Sequence, residues 1–371
     1  MAARNVLLVA LIAVTALLAV TSVRAYPTTD LFCFMTAARL VAAGADPYDA
    51  ATWTSATAGV FPDYRGVPRA SPCPGRFGYP LWTALALFPL VPLAPPALAA
   101  VWQVLLFGGA AIGSRALARA TGRPERAPGL TLAVVASQPF WLTVLNAQFG
   151  GVLLAAVGSC AVLLSRRPAA AGLALAAGWL KPHVVAVALL LTPLRELRAG
   201  RRAPAVAVVL VLVAAVAVSL AVRPAWPADY LVEILENRRD QTAAATSLVG
   251  LSVFVTGSPL AGVILVVGVL AAAAGLLRER ALAGVELLAV GTAASLVVSP
   301  YLGSHDDLLL VPSWAVLFGA GPVLVAVVAV VLPWSLYLLK GPLANGEGLS
   351  GLVPALTLLA LATVLRRSRE R

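Results

Sequence analysis

VLLVALIAVTALLAVTSV (Val6–Val23) and the segment that follows it, RAYPTTDLF (Arg24–Phe32), decide the fold class of this chain. The first stretch carries no charge and is long enough to be a candidate membrane-spanning helix. It exceeds the usual signal-peptide core of about 7–15 residues, so it reads as a retained helix. Asp30 comes directly after it, where the helix leaves the bilayer. No acidic residue precedes Asp30 and the next is Asp46. A lone carboxylate is thus held close to a lipid surface.

Outward from this stretch, the composition repeats the message. Hydrophobic residues make up 60% of the 371, charged residues only 12%, and the mean hydropathy is +0.92. A soluble domain carries about 25% charge. Apolar runs recur along the whole chain, which predicts an all-α polytopic membrane protein. Net charge is +11, yet twenty-five of the twenty-seven basic residues are arginines scattered over short loops without interleaved aromatics. That distribution orients a membrane protein and does not form a nucleic-acid surface.

Arginine placement then predicts the topology. Arg4 and the clusters in 115–126, 166–167, 195–202, 278–280 and 366–371 belong together in the cytoplasm under the positive-inside rule. The runs fit if 79–93, broken by Pro80, Pro89 and Pro92, is re-entrant or interfacial, and if 169–180 and 183–194 pair across a turn at Lys181-Pro182-His183. About twelve spans result, with both termini cytoplasmic and residues 1–371 forming a single domain. Extracytoplasmic loops are expected at 24–76 and 223–246. In the first, Asp30 to Ala43 reads as an interfacial helix capped by Thr28 or Thr29, with Arg39 snorkelling to water. In the second, Tyr230, Leu231, Ile234 and Leu235 share one face against Glu233, Glu236 and Asp240. Glu125, Glu196, Glu279 and Glu370 fall among the cytoplasmic arginines, in loops too short for a nucleotide-binding domain. Neither a phosphate-binding P-loop nor a dinucleotide fingerprint is present.

The polar residues gathered on the outer side are the candidate site. Asp30 reads as a general base for an acceptor hydroxyl, or as a helix cap or solvated loop acid. Lys181, one of two lysines, is a cation among apolar residues, with a lipid phosphate as natural partner or a snorkelling role at a helix end. Ser299 to Asp307 holds His305, one of two histidines, which can donate to a phosphate or orient a carboxylate. His305 with Asp306 or Asp307 is compatible with a divalent cation, although one His and two adjacent acids are a weak metal signal. No other cofactor is indicated. Asn146 and Gln148 are candidates for sugar hydroxyls or for helix ends. Cys33 and Cys73 share the outer loop, where a disulfide is chemically accessible, whereas Cys160 sits in a span.

In order along the chain, five motifs carry a resemblance: Asp30 with Gly44-Ala45-Asp46-Pro47-Tyr48-Asp49; Phe77-Gly78-Tyr79-Pro80; Asn146-Ala147-Gln148; Lys181-Pro182; and Ser299-Pro300 followed by His305. Together they resemble the GT-C superfamily of membrane glycosyltransferases, and within it glycosyltransferase family 87, which includes polyprenyl-phosphate-mannose-dependent α-mannosyltransferases. The sequence departs at Ala147, where Gly is usual, at Asp306, where a second His is frequent, and at Ala245-Thr246-Ser247-Leu248. The resemblance implies a GT-C-type bundle and a polyprenyl-phosphate sugar donor, with mannose as the sugar, presented at the outer leaflet. It implies a glycolipid or glycan acceptor of the cell envelope, Asp30 as base, and Lys181 and His305 at the donor phosphate. Tyr79, Asn146, Gln148, Asp306 and Asp307 are the further substrate-binding candidates. Arabinofuranose is an alternative sugar. A flippase or transporter of lipid-linked sugars would share the spans and surface helices, but no internal repeat of the transporter kind is visible.

Overall fold

The computed structural model describes residues 2–63, 65–73, 75–243, 245–278, 281–300, 302–340 and 346–367. Glu279, Tyr301 and Glu370, and the side chain of Asp240, lie outside the described residues. Helices dominate, with one small exception that hydropathy does not reveal. Val60–Pro62 and Pro68–Ala70 pair antiparallel as a two-stranded ribbon in the first loop. Asp63 turns it by accepting from the amides of Arg65 and Val67 at 2.8 and 3.0 Å.

Among the described residues, five helices are long and apolar enough to cross a membrane: Pro95–Ala120, Ala203–Val222, Pro259–Leu277, Pro322–Lys340 and Gly348–Arg367. A sixth arises if Pro124–Ala136 and Gln138–Leu145, bent by 61°, count as one span. The bend falls at Ser137, whose extended backbone ends one helix while its hydroxyl accepts from Phe140 N–H to begin the next. Val206, Val209, Leu210 and Val213, like Val263, Ile264 and Val267, point outward from their helices. Contiguous outward apolar faces of this kind are what lipid solvates.

The most extensive helix–helix contact is that between Pro95–Ala120 and Gly150–Leu163. A Cβ on Gly109 would lie 2.3 Å from the Gly151 carbonyl oxygen, and one on Gly151 would lie 2.4 Å from that of Leu106. These backbones touch because both residues lack a side chain, the small-residue packing that holds helices together in lipid. Gly151→Val is therefore expected to cost about 1–3 kcal/mol or more through overpacking. Gly108→Val, where a Cβ meets nothing within 4 Å, should leave the midpoint of thermal unfolding in detergent unchanged.

One surface-helix expectation is corrected. Asp30–Ala42 is a helix close to the expected bounds, but it is buried in protein: Leu31, Phe34, Met35, Ala37 and Ala38 are all inaccessible. A helix that is apolar on all sides is stable only when covered on all sides. Arg39 accordingly donates to the Leu93 carbonyl at 3.4 Å. Thr29 occupies the N-cap position but makes no side-chain cap; its hydroxyl donates to the Tyr26 carbonyl at 2.7 Å.

Trp226–Ala243 keeps its expected faces only in part. Leu231 and Leu235 are 54% and 64% exposed and Glu236 is exposed, whereas Glu233 is 2% exposed and faces inward with Tyr230. The inward stripe is Trp226, Tyr230 and Glu233, at helical spacing i, i+4, i+7. Its orientation is set by long-range anchors. Arg223 pairs with Asp46 at 2.5 Å and with Asp229 at 2.9 Å. Trp226 packs edge-on to Trp82, and Tyr230 packs near Tyr48.

The short helix Leu81–Ala86 and a 3-10 turn at Phe88–Leu90 precede Pro95–Ala120, so 79–93 is not a straight span. Likewise Pro168–Ala176 and Ala186–Arg198 are separate helices that break around Lys181. Of the acids expected on the cytoplasmic side, Glu196 is fully buried between Arg195 at 2.7 Å and Arg201 at 2.5 Å.

Candidate functional site

The polar segments that carry the candidate residues are held by hydrogen bonds to their main chain from distant elements. The Asp30 amide donates to the Asn146 carbonyl at 2.9 Å, which seats the first turn of Asp30–Ala42 beside the end of Gln138–Leu145. Asn146 is the C-cap of that preceding helix. Its contribution to the arrangement is a carbonyl, and it does not line the cavity described below.

Ala147 follows with φ = 49°, the one non-glycine with positive φ among the described residues. This left-handed conformation turns the chain so that Gln148 points back at Asp30, and it is fixed by Trp102 Nε1 donating to the Ala147 carbonyl at 2.8 Å. A Cβ costs about 1–2 kcal/mol there, which explains why glycine suits this position. Ala147→Gly is expected to preserve activity and leave stability equal or higher, as read from thermal unfolding.

Lys181 lies between the turns Ala177–Leu180 and Pro182–Val184. Trp82 Nε1 donates to the Trp179 carbonyl at 2.8 Å and the Thr83 hydroxyl to that of Leu180 at 3.1 Å. The Leu81–Ala86 helix thus clamps the approach to the lysine. The loop carrying His305 is held by Thr246, whose amide donates to the Leu302 carbonyl at 3.0 Å, and by the Ser247 hydroxyl, which donates to that of Pro300 at 2.9 Å. Thr143 donates to the His305 carbonyl at 3.1 Å.

These ties bring five side chains into one network. Gln148 Nε2 donates to Asp30 Oδ2 at 2.5 Å, and Lys181 Nζ donates to Gln148 Oε1 at 3.3 Å. Lys181 Nζ also donates to Asp306 Oδ1 at 2.5 Å and lies 3.3 Å from His305 Nε2. Asp306 Oδ2 accepts from the Gly303 amide at 3.2 Å. Burial opposes the charge on Lys181, but Asp306, with Tyr79 and Asp30, raises its pKa above the ordinary lysine value. Burial lowers that of His305, with Asp306 opposing and Lys181 reinforcing. At neutral pH the site therefore holds an ammonium beside a neutral imidazole whose Nε2 can accept from it.

Asp30, Tyr79, Gln148, Lys181, His305 and Asp306 all line one cavity of about 350 Å³. Asp307 does not: it is buried, and neither carboxylate oxygen has a hydrogen-bond partner among the described residues. A divalent-cation site formed from His305, Asp306 and Asp307 does not fit this arrangement. Asp306 is engaged by Lys181 and Gly303, and Asp307 does not converge on the cavity. Among the described residues no group of three His, Cys, Asp or Glu is placed to hold a metal ion.

The cavity also takes in residues that the sequence reading did not select, among them Trp53, Arg76, His183 and Glu233. Cys33 and Cys73 form a disulfide in its wall, with Cα atoms 5.4 Å apart. The Asp46–Asp49 motif supports the same wall. The Tyr48 hydroxyl donates to the Tyr79 carbonyl at 2.6 Å, and Asp49 caps Ala50–Thr57 through the Thr52 amide at 2.8 Å.

A bundle of apolar helices enclosing a cavity with a carboxylate, an ammonium and an imidazole in contact defines a membrane protein equipped for polar chemistry beside lipid. The model of glycosyltransferase family 87 matches residues 77–300, more than half of the chain, and the protein belongs to that family. It is accordingly a glycosyltransferase, acting on a sugar donor and an acceptor. No curated protein and no solved structure matched the chain. Tyr79, Gln148 and Lys181 fall inside the matched residues, whereas Asp30, His305 and Asp306 fall outside them and join the site through the fold.

Proposed function

We propose that the protein is an inverting glycosyltransferase that moves a sugar, mannose on the family resemblance, from a polyprenyl-phosphate donor to an envelope glycolipid or glycan at the outer face of the membrane. The observation that carries this reading is the convergence of Asp30 with Lys181 and His305 at a single cavity through Gln148. In the reaction Asp30 removes the proton of the acceptor hydroxyl as its oxygen attacks the anomeric carbon of the donor sugar. The bond from that carbon to the lipid-phosphate oxygen breaks on the opposite face. The charge left on the phosphate is stabilised by the Lys181 ammonium and by the His305 imidazole, which presents N–H from its other nitrogen. Asp306 keeps the ammonium charged and aimed, and Gln148 orients the Asp30 carboxylate. Tyr79 supports the sugar at the cavity wall.

The topology that goes with this reading has about twelve crossings, cytoplasmic termini and the cavity facing outward, where lipid-phosphate sugars need no nucleotide. The test is transfer of labelled sugar by purified protein in lipid vesicles, using polyprenyl-phosphate mannose and polyprenyl-phosphate arabinofuranose side by side. A glycosidic product from the first supports mannosyl transfer, and product from the second alone reassigns the sugar. Transbilayer movement of either lipid without any product would replace the transferase by a flippase.

A further inference from the structure

The bundle holds a second cavity, of about 590 Å³, at the end of the helices remote from Asp30. Three helices run from the candidate site to it. Pro95–Ala120 meets the site at Trp102, which donates to the Ala147 carbonyl, and its last residue, Ala120, lines the second cavity. Gly284–Val298 begins with Val285 and Glu286 in the lining and ends at the segment that carries His305. Gly348–Arg367 starts near Ser350, to which the Ser304 hydroxyl donates at 3.3 Å, and finishes at Arg367 in the lining. Each of these paths is about 20–30 Å long, close to the thickness of the bilayer hydrocarbon. The two cavities therefore lie near opposite faces of the membrane that the helices cross.

Arg123 and Arg367 line this second cavity, together with Glu286 and apolar residues such as Val316 and Val364. Both arginines stand at or just past a helix C-terminus, where the helix dipole alone favours a cation. That accounts for each arginine singly, but not for a cavity that both of them line. The acids at this end are engaged: Glu125 pairs with Arg126 at 4.0 Å, Glu196 with Arg195 and Arg201, and Glu286 caps its own helix by accepting from the Ala283 amide at 2.8 Å. Arg126 donates to the Phe318 carbonyl and so fixes the wall at Gly319 and Ala320. Directly beyond Ala320 the chain enters Pro322–Lys340, whose Val323, Val327 and Val331 are exposed. An outward apolar surface thus begins next to the two guanidiniums.

We infer that this cavity binds the headgroup of an anionic glycerophospholipid, with Arg123 and Arg367 donating to its phosphate oxygens and the acyl chains lying on the outward valines. The planar guanidinium fork matches phosphate geometry. Basic pockets between membrane helices on the cytoplasmic side are known seats for such headgroups. A zwitterionic lipid offers the same phosphate but adds an ammonium, which two guanidiniums and no free carboxylate at the rim disfavour. The inference uses only the membrane reading of the fold and is independent of the sugar donor.

The test titrates the purified full-length protein in neutral detergent with phosphatidylglycerol, phosphatidylcholine or inorganic phosphate. Retention is read by native mass spectrometry and stability by thermal unfolding. Wild type should hold phosphatidylglycerol about tenfold more tightly than phosphatidylcholine, and its unfolding midpoint should rise with phosphatidylglycerol concentration. Arg123→Gln combined with Arg367→Gln should erase that preference. Both side chains are exposed, so the midpoint without lipid should stay near that of wild type. Ala320→Glu keeps both arginines, adds a carboxylate to the lining and should erase the preference as well. Arg166→Gln combined with Arg167→Gln removes two exposed arginines outside the lining and should leave the preference intact. Equal retention of the two lipids by wild type overturns the site, and so does an undiminished preference in the Arg123 and Arg367 double variant. If that variant unfolds early, an undiminished preference in Ala320→Glu overturns it in the same way. Loss of the preference in the Arg166 and Arg167 pair would show a general charge effect and would also overturn it. Inorganic phosphate binding as tightly as phosphatidylglycerol replaces the lipid by a soluble phosphate.

Discussion

Asp30→Asn lowers sugar transfer by about 10²–10⁴-fold, the usual range for loss of a positioned general base, while the protein still folds and binds donor. Asparagine keeps the volume of the side chain and an oxygen for Gln148 Nε2 to donate to. The main-chain bond from residue 30 to the Asn146 carbonyl is untouched. What disappears is the capacity to take up the acceptor proton. Because that interaction develops only in the transition state, kcat and kcat/KM for the donor fall together and the donor KM stays level. Single-turnover transfer measured with the purified variant checks the effect. Normal transfer by Asp30→Asn removes Asp30 as the base. A fall in activity that follows a lower unfolding temperature would mean that the residue only holds the first turn of its helix.

Lys181→Met produces two losses that a second substitution separates. Lys181 and Asp306 form a buried pair, with side chains 4% and 6% exposed and charged atoms 2.5 Å apart. Removing the ammonium strands the Asp306 carboxylate, at an expected cost of about 3–5 kcal/mol in stability. The variant also loses the cation proposed to meet the leaving phosphate, for which about 10²–10³ in kcat is expected by analogy with a lost transition-state donor. Lys181→Met combined with Asp306→Asn removes both charges and should recover most of the thermal stability. Transfer should stay low. If the double variant recovers transfer along with stability, Lys181 serves the fold and the phosphate must be met elsewhere.

Much of the site was readable residue by residue because lipid makes polar groups conspicuous. Lys181, one of two lysines, the two histidines and a first acid at Asp30 stand out in a chain with so little charge, and each is expensive to place near a bilayer without a purpose. Breaks in the helices were also visible: Pro80 caps the start of the short helix Leu81–Ala86, and Pro182 opens the 3-10 turn after Lys181. Ala147 is the instructive intermediate case. Its departure from the glycine of the family motif is plain in the sequence, but the reason, a left-handed backbone held by Trp102, exists only in the folded chain.

By itself the sequence determined the all-helical membrane class, the order of the polar motifs and the isolation of Asp30 after its first apolar stretch. Hydropathy and charge are local quantities, and these are local properties. Only the tertiary structure decided that Asp30, Gln148, Lys181, His305 and Asp306 meet, that Cys33 bonds Cys73, that Asp307 turns away, and that Glu233 faces inward. Periodicity shows that Trp226–Ala243 has two unlike faces, but the rotation that selects the buried face is set by Arg223 reaching Asp46, more than 170 positions earlier in the chain. Contacts between residues so far apart depend on how helices pack against one another, and no local pattern encodes that.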